Sequence, residues 1–313
     1  MYITLIVPIY NESDVLELFY THITKIIDPL TYNFEILFVD DGSKDQSLEI
    51  IRKLAGLDPR ISYISLSRNF GKESAMSAGV DHAEGDAVIF IDADLQDPPE
   101  LIPKMIEKWL EGYDGVYAQR AKRDIDPLAK RVTAEWFYTI IGKLSRFDIP
   151  SNAGDYRLIS RRSVMALRSM PEANRFMKGL FAWVGYRQAS ISYSREKRVA
   201  GDTKFNYWKL WNLALDGITA FTTLPLRMAS YIGLCVASLA FIYGISIIFK
   251  TLVFDDPVPG YPSLMTVVLF LGGLQLMFLG ILGEYLGRMF EEVKRRPLYL
   301  VDSYHAQDSF RKK

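Results

Sequence analysis

The stretch IFIDADLQDPPEL, residues 89–101, joins a run of apolar residues to three carboxylates within six residues, Asp92, Asp94 and Asp97. The apolar part is typical of a β-strand that is buried on both faces. Ionised carboxylates this close together repel one another and raise each other's pKa, so such a cluster is usually kept beside a positive charge. The stretch therefore predicts a buried strand that ends at a bound cation.

Similar apolar runs precede this one and alternate with helix-like segments. The four runs are residues 3–9, 34–40, 61–66 and 87–92. The helix-like segments are residues 13–27, 44–57 and 71–83. This alternation predicts an α/β fold with a mostly parallel sheet and right-handed crossovers. Ligands bind at the carboxyl ends of the strands in such sheets, and the polar clusters NE, DDGS and DADLQD all fall at predicted strand ends.

Composition excludes several classes of protein. The chain has 313 residues, and its 37 Lys and Arg balance 37 Asp and Glu, which gives no electrostatic reason to expect a nucleic-acid partner. The single cysteine, Cys235, excludes an intramolecular disulfide and a cysteine-based zinc cluster. The first residues, MYITLIVPIYNE, have no basic segment and no cleavage site, so they do not predict a signal peptide.

The C-terminal third contains two long stretches without a charge, residues 229–249 and 257–283. Each is long enough to cross a hydrocarbon core of about 30 Å as a helix. The alternative, two core helices of a soluble domain, would need a domain large enough to surround both. Residues 206–228 carry Trp208 and Trp211 among apolar residues, which predicts helices in the membrane interface, although an ordinary core-facing helix has the same pattern.

Basic residues flank the two predicted spans and orient them. Arg227 precedes the first span, Arg288 and residues 294–296 follow the second, and the connector has one Lys and two Asp. The positive-inside rule therefore places both flanks and both termini in the cytoplasm, with the connector outside. We expect a multi-pass membrane protein.

The Asp-x-Asp pair of the opening stretch has the chemistry of a metal site. Asp92 and Asp94 offer hard oxygen ligands without a nearby His or Cys, which favours Mg²⁺ or Mn²⁺ over zinc. Gln96 can add a carbonyl oxygen or hold a water molecule. Such ions normally complete their coordination shell with water and substrate phosphates.

VDDGS, residues 39–43, is a second acidic turn at a strand end. Asp40 and Asp41 can accept hydrogen bonds from a nucleobase or from ribose hydroxyls. A simple capped loop would explain Gly42 and Ser43 through turn geometry and helix capping. It would not explain two adjacent carboxylates.

Together these motifs resemble those of the family 2 inverting glycosyltransferases of the GT-A fold. The motifs are VPIYNE (7–12), VDDGS (39–43), SRNFGKESAMSAG (67–79) and DADLQDPPE (92–100). GDYRLISR (154–161) and the two spans are similar to the polyprenyl-phosphate branch, which includes dolichol-phosphate mannose synthase and the bactoprenol glucosyltransferases. The QxxRW motif of the processive synthases is not in the sequence, so the resemblance implies transfer of one sugar per acceptor.

The resemblance also implies roles for individual residues. The nucleotide-sugar-binding residues would be Pro8, Tyr10, Glu12, Asp40, Asp41, Lys72, Asp92, Arg198 and Lys204. The metal ligands would be Asp92, Asp94 and Gln96, and the catalytic residues Asp94, Asp155, Arg120 and Arg131. Asp155 would act as a base or would orient the acceptor, Arg157 or a sugar hydroxyl, and the arginines would position the two phosphate groups. Lys122, Arg123 and Lys130 would lie on a solvated face or contact anionic lipid.

The implied reaction moves one hexose, glucose from UDP-glucose, onto undecaprenyl phosphate at the cytoplasmic face of the bacterial inner (plasma) membrane, for O-antigen or cell-surface glycan modification. The donor could instead be GDP-mannose, UDP-GlcNAc or a UDP-aminoarabinose derivative, and a membrane-anchored sugar-nucleotide binding protein without turnover is a further alternative. The tail contains a β-like run, RRPLYLVDSYH, which in similar enzymes can pair with another subunit, so we expect a homo-oligomer. A flippase is a possible partner.

We expect four segments along the chain. They are a GT-A domain at residues 1–205, interfacial amphipathic helices at 206–228, two transmembrane helices with a short external loop at 229–287, and a cytoplasmic tail at 288–313.

Overall fold

The computed structural model describes residues 1–120, 153–170, 172, 175–193, 224–254 and 260–306. Some residues to which the sequence assigns roles lie outside the described residues, namely Arg131, Arg198, Lys204 and residues 206–223. The chain forms two compact units, one of Met1–Trp211 with Arg296–Lys313 and one of Asn212–Arg295.

The first unit contains an eight-stranded sheet, counted over the described residues. Its strands are β1 (Tyr2–Ile9), β2 (Asn33–Asp40), β3 (Ile61–Leu66), β4 (Ala87–Phe90), β5 (Gly115–Arg120), β6 (Ala153–Ser160), β7 (Gln188–Tyr193) and β8 (Val301–His305). Their spatial order is β7-β5-β6-β4-β1-β2-β3-β8. The pairs β4–β1, β1–β2, β2–β3 and β5–β7 are parallel, whereas β6 and β8 run antiparallel to their neighbours.

Helices cover the sheet and follow the strands as predicted. In this unit they are α1 (Leu16–Ile27), α2 (Ser47–Leu57), α3 (Lys72–His82), α4 (Ile102–Leu110), α5 (Arg161–Arg168) and α6 (Met177–Trp183), and a 3₁₀ turn, Pro99–Leu101, precedes α4. The apolar runs of β1, β2 and β4 are almost completely buried, which explains why they lack polar alternation. The α/β, mostly parallel fold is confirmed.

Two helices begin three residues later than the sequence predicts, because the loops before them bind each other. The backbone N–H of Asn11 donates to Ser43 Oγ at 3.0 Å, and the N–H of Lys44 donates to Asn11 Oδ1 at 2.8 Å. The N–H of Glu12 donates to Ser47 Oγ at 2.9 Å. These bonds hold both loops in extended or turn conformations, so α1 begins at Leu16 and α2 at Ser47.

The tail forms the strand that its sequence predicts. β8 pairs antiparallel with β3, with Tyr63 opposite His305 and Ile64 opposite Tyr304. The Tyr299 hydroxyl donates to Asp81 Oδ2 at 2.8 Å just before this strand. The partner of the run is therefore β3 of the same chain in this structure, and the homo-oligomer stays a prediction.

The second unit contains two long helices, α7 (Leu224–Phe254) and α8 (Tyr261–Lys294). Segments of both, Leu226–Ile247 and Ser263–Lys294, are long and apolar enough to cross a membrane, with mean hydropathies of 1.8 and 2.2. The hydroxyl of Ser238 donates to its own helix at the carbonyl of Leu234, 2.9 Å away, which satisfies it without water. Since α8 runs to Lys294, residues 288–294 of the predicted tail continue this helix.

Candidate active site

The predicted polar clusters lie at one edge of the sheet. Since β1, β2 and β4 are parallel, the residues that follow them share the carboxyl edge. β4 ends at Phe90, two residues before the end of the predicted run 87–92, so Asp92 and Asp94 both lie in the turn beyond the strand. Asp155 reaches the same edge from the start of the antiparallel β6.

The pairing of β4 with β6 brings two carboxylates together. Phe90 lies opposite Arg157 in the ladder, and the same register continued by two residues sets Asp92 opposite Asp155. The Lys72 ammonium bridges them, with Nζ 2.7 Å from Asp92 Oδ2 and 2.8 Å from Asp155 Oδ2. We call these three residues the lysine bridge. The positive charge that the carboxylate cluster predicts is thus supplied, on Asp92, by the chain itself.

The lysine bridge shifts the pKa values of Lys72 and Asp155. Burial alone would lower the pKa of Lys72, but Asp92 and Asp155 outweigh it and raise that pKa. Burial would raise the pKa of Asp155, yet Lys72 and Lys178, whose Nζ lies 3.8 Å from Oδ1, hold the pKa of this carboxyl well below its usual range. A carboxylate held so firmly in its ionised form is a weak proton acceptor. The geometry favours an orienting role for Asp155 over the role of base.

Asp94 opens a turn whose later residues are buried. Its Oδ1 accepts the N–H of Gln96 at 3.1 Å, and Leu95 between them has a positive φ of 57°. Gln96 is buried, and so is Asp97, which accepts the Tyr193 hydroxyl at 2.6 Å. This packing fixes the turn that presents Asp94 at the sheet edge.

The residues of this turn fit a metal whose shell a ligand completes. Among the described residues there is no group of three or more His, Cys, Asp or Glu side chains that could hold an ion. Asp92 and Asp94 offer two carboxylates, the usual protein contribution to a Mg²⁺ ion that also binds water and phosphate. The donor set therefore suits Mg²⁺ or Mn²⁺ together with a diphosphate.

Asp40 and Asp41 hold the loops around the site. Asp41 accepts the N–H groups of Phe70 at 2.7 Å and Gly71 at 2.9 Å, directly before Lys72. Asp40 accepts the N–H of Ser43 and the hydroxyl of Ser65, both at 3.2 Å. Both carboxylates are almost fully buried. This structure therefore gives them a role that the sequence did not predict, and their contact with a nucleotide stays a prediction.

The predicted base- and ribose-binding residues lie at the end of β1. Pro8, Tyr10 and Glu12 are each partly exposed at the sheet edge. Arg120 is the last residue of β5, and only its backbone belongs to the described part of the chain.

Two charged residues of the site escaped sequence reasoning. Glu73 Oε2 accepts the N–H of Met177 at 2.9 Å and so attaches the start of α6 to α3. Burial and the nearby Asp155 raise the pKa of Glu73 to about 7. Lys178, the next residue of α6, faces Asp155. The only sequence signal was that Glu73 adjoins Lys72, because the partners in α6 are about a hundred positions away along the chain.

Known proteins resemble this chain along almost its whole length. The model of the glycosyl transferase family 2 matches residues 4–168, and the GtrB C-terminal hairpin matches residues 224–289. The chain is 52% identical over 301 residues to a prophage bactoprenol glucosyl transferase homolog of Escherichia coli (strain K12), covering 96% of this chain and 98% of that protein. It is 52% identical over 305 residues to the bactoprenol glucosyl transferase of Shigella phage SfII, covering 97% and 99%.

A solved structure shares the fold. Mannosyl-3-phosphoglycerate synthase from Rubrobacter xylanophilus superposes with a TM-score of 0.52 at 18% identity, over 74% of this chain and 75% of that one. The GT-A fold predicted from the motifs is confirmed. With its family match over more than half of the sequence, its C-terminal hairpin and its full-length relatives, the chain belongs to glycosyl transferase family 2.

Proposed function

We propose that this chain transfers one glucose from UDP-glucose to undecaprenyl phosphate at the cytoplasmic face of the bacterial inner membrane, with inversion at the anomeric carbon. The observation that carries the proposal is the 52% identity to bactoprenol glucosyl transferases over almost the whole chain. That identity extends beyond the catalytic part, because the helix pair matches a family hairpin of its own. The product would serve O-antigen or cell-surface glycan modification.

The leaving group of this reaction is a nucleoside diphosphate, which gains negative charge as the bond to the sugar breaks. Asp92 and Asp94, with Gln96 nearby in sequence, would hold a divalent cation that stabilises this charge. The Lys72 ammonium lies next to Asp92 and adds a positive charge to the same region. Tyr10 and Glu12, which are partly exposed just after β1, would contact the nucleoside.

The acceptor is already an anion, so it needs alignment more than deprotonation. One phosphate oxygen forms a bond to the anomeric carbon while the bond from that carbon to the diphosphate breaks on the opposite face. The low pKa of Asp155 supports this view, because a firmly ionised carboxylate beside two lysines orients cations instead of collecting a proton. Arg120, Arg131, Arg198 and Lys204 remain our candidates for contacts with the phosphates.

The membrane helices would hold the catalytic unit at the level of the lipid phosphate. Two helices of sufficient length and hydropathy support anchoring in the bilayer. The basic residues that flank them support cytoplasmic flanks by the positive-inside rule. A lipid-linked sugar made on that side would need a flippase before use outside, and homo-oligomers remain part of the proposal.

The experiment that tests this function uses membranes containing the full chain, undecaprenyl phosphate and one labelled donor at a time. We expect label from UDP-glucose in the lipid phase, and little from GDP-mannose, UDP-GlcNAc or the UDP-aminoarabinose derivative. Asp94→Asn should lower the rate about a hundredfold, as loss of a transition-state charge contact does. Asp302→Asn, the same change at an exposed position of β8, is the matched control and should leave the rate unchanged.

Transfer from a different donor would contradict the assignment of glucose. Binding of UDP-glucose without any lipid-linked product would instead support the alternative of a sugar-nucleotide binding protein.

A further inference from the structure

Lys72 lies at a position where a lysine is electrostatically unfavourable. It is the first residue of α3, and the unpaired N–H groups of a helix start carry a partial positive charge. Acidic residues are the stabilising choice in such a first turn. Asp41 nevertheless fixes the two residues before Lys72 through their N–H groups, which directs the side chain toward the sheet edge. The position indicates that Lys72 serves the site and not the helix.

Two carboxylates beside Lys72 offset this unfavourable position, and Lys72 would compete with a metal ion for one of them, Asp92. The register of β4 and β6 sets two carboxylates side by side, and like charges at such a distance need a cation between them. Lys72 Nζ binds Oδ2 of both, at 2.7 and 2.8 Å. A divalent ion that binds Asp92 therefore has to share or displace the ammonium, and the two cations repel each other at short range.

The lysine bridge can be opened by a ligand from solution. The side chains of Lys72 and Asp92 are 41% and 30% exposed, whereas that of Asp155 is only 19% exposed. Asp155 Oδ1 is buried and accepts no hydrogen bond from the described residues. Oδ1 can therefore accept a second hydrogen bond from the Lys72 ammonium, which can stay on Asp155 when a divalent cation binds Asp92. The ion pair of Lys72 with Asp92 is thus accessible to solvent, whereas its ion pair with Asp155 is more buried.

We propose that Lys72 is an internal counter-ion that couples metal binding to donor binding. Without nucleotide, the ammonium on Asp92 opposes binding of a divalent cation. When a nucleoside diphosphate arrives with the cation, its negative charge removes the repulsion, and Lys72 keeps Asp155 while gaining phosphate oxygens as acceptors. The inference rests on the proposed function, since it takes Asp92 to be a metal ligand.

Binding of Mn²⁺ to the full chain in detergent, followed by electron paramagnetic resonance of the free ion with and without UDP, tests the coupling. We expect UDP to tighten Mn²⁺ binding to the unchanged protein about tenfold, within the range of ordinary coupling between two ligands. Lys72→Met should bind Mn²⁺ without UDP about tenfold more tightly than the unchanged protein and should lose most of the effect of UDP. Lys72→Arg keeps the charge and should behave like the unchanged protein.

Lys178→Met is the matched control, because it also removes a lysine from Asp155 but from a distance of 3.8 Å and without contact to Asp92. Its Mn²⁺ affinity without UDP should stay within about twofold of the unchanged protein. Lys72→Gln repeats the test with a polar side chain, and thermal unfolding of each variant verifies that it is folded.

Unchanged Mn²⁺ affinity in folded Lys72→Met and Lys72→Gln would overturn the proposal, as would equal tightening in Lys178→Met. If the variants only weaken UDP binding, Lys72 is a plain phosphate ligand and the proposal fails. The Mn²⁺ titration without nucleotide measures only the effect of Lys72 on metal affinity, and the labelled-sugar assay measures only the transfer reaction. A failure of one is therefore distinguishable from a failure of the other.

Discussion

Replacing Asp41 with Asn separates a loop-holding role of this residue from a role in direct nucleotide contact. In the structure both carboxylate oxygens accept backbone N–H groups, from Phe70 at 2.7 Å and from Gly71 at 2.9 Å. An Asn side chain has one oxygen and one NH₂ group, so one of the two N–H groups would face another donor. Of the two hydrogen bonds from Asp41 that hold the turn before Lys72, one would be lost.

The magnitude follows from two opposing effects. A hydrogen bond to a charged group contributes about 1.5–3 kcal/mol, and a buried donor left without an acceptor costs about 1–3 kcal/mol. Burial also raises the pKa of Asp41, so removing the charge recovers part of the desolvation cost. We expect a net loss of about 2 kcal/mol, which for a unit of this size lowers Tm by about 4–8 °C.

The assay is thermal unfolding of the full chain in detergent, followed by tryptophan fluorescence, together with the affinity for UDP. The control is Asp302→Asn, an exposed position that should change stability by less than about 0.5 kcal/mol. A Tm within about 1 °C of the unchanged protein, combined with at least about a tenfold loss of UDP affinity, would refute the loop-holding role. Asp41 would then act on the nucleotide itself.

Two further predictions concern the same edge of the sheet. Gly42→Ala should cost at least about 2 kcal/mol, measured by Tm, because Gly42 has a φ of 65° and an added Cβ would collide with the backbone of Arg68 and Asn69. Gly56→Ala is the control: Gly56 lies in the last turn of α2, where an added Cβ would contact nothing beyond its own helix, and the change should be neutral or stabilising. The pKa of Glu73 is raised from an ordinary 4.5 to about 7 in the folded chain, so the unfolded chain loses this proton at a lower pH than the folded chain does. The stabilisation that protonated Glu73 gives is therefore complete below the ordinary pKa and is lost as the pH rises to the raised pKa. Glu73→Gln keeps an acceptor for Met177 and should reduce the fall in Tm between about pH 5 and about pH 8, whereas a parallel fall in both proteins would contradict this origin.

The strands were predictable because each parallel strand is a short apolar run that both faces of the sheet bury. β1, β2 and β3 begin and end within one residue of the predicted runs. The late starts of α1 and α2 were not predictable, because they depend on hydrogen bonds between two loops about thirty residues apart. Such contacts have no local pattern in the sequence.

The residue types of the candidate site could be predicted from the sequence, but the contacts between the residues could not. Carboxylates at strand ends identified Asp92 and Asp94, since the edge where parallel strands end is common to all of them. Lys72 meets its partners across 20 and 83 positions of chain, and only the register of β4 and β6 brings those partners together. Sequence spacing therefore proposed a metal ion as the neighbour of Asp92, and the structure adds an ammonium group.

The strand that follows the two long apolar helices matters for anyone who wishes to study the enzyme without detergent. β8 covers the outer edge of β3, with Leu66 opposite Val301 and Tyr63 opposite His305. A water-soluble fragment that ends before α7 would lose this cover and expose a row of unpaired N–H and C=O groups, which invites aggregation. Joining residues 296–306 to such a fragment through a flexible linker should restore the missing edge and keep the preparation monodisperse.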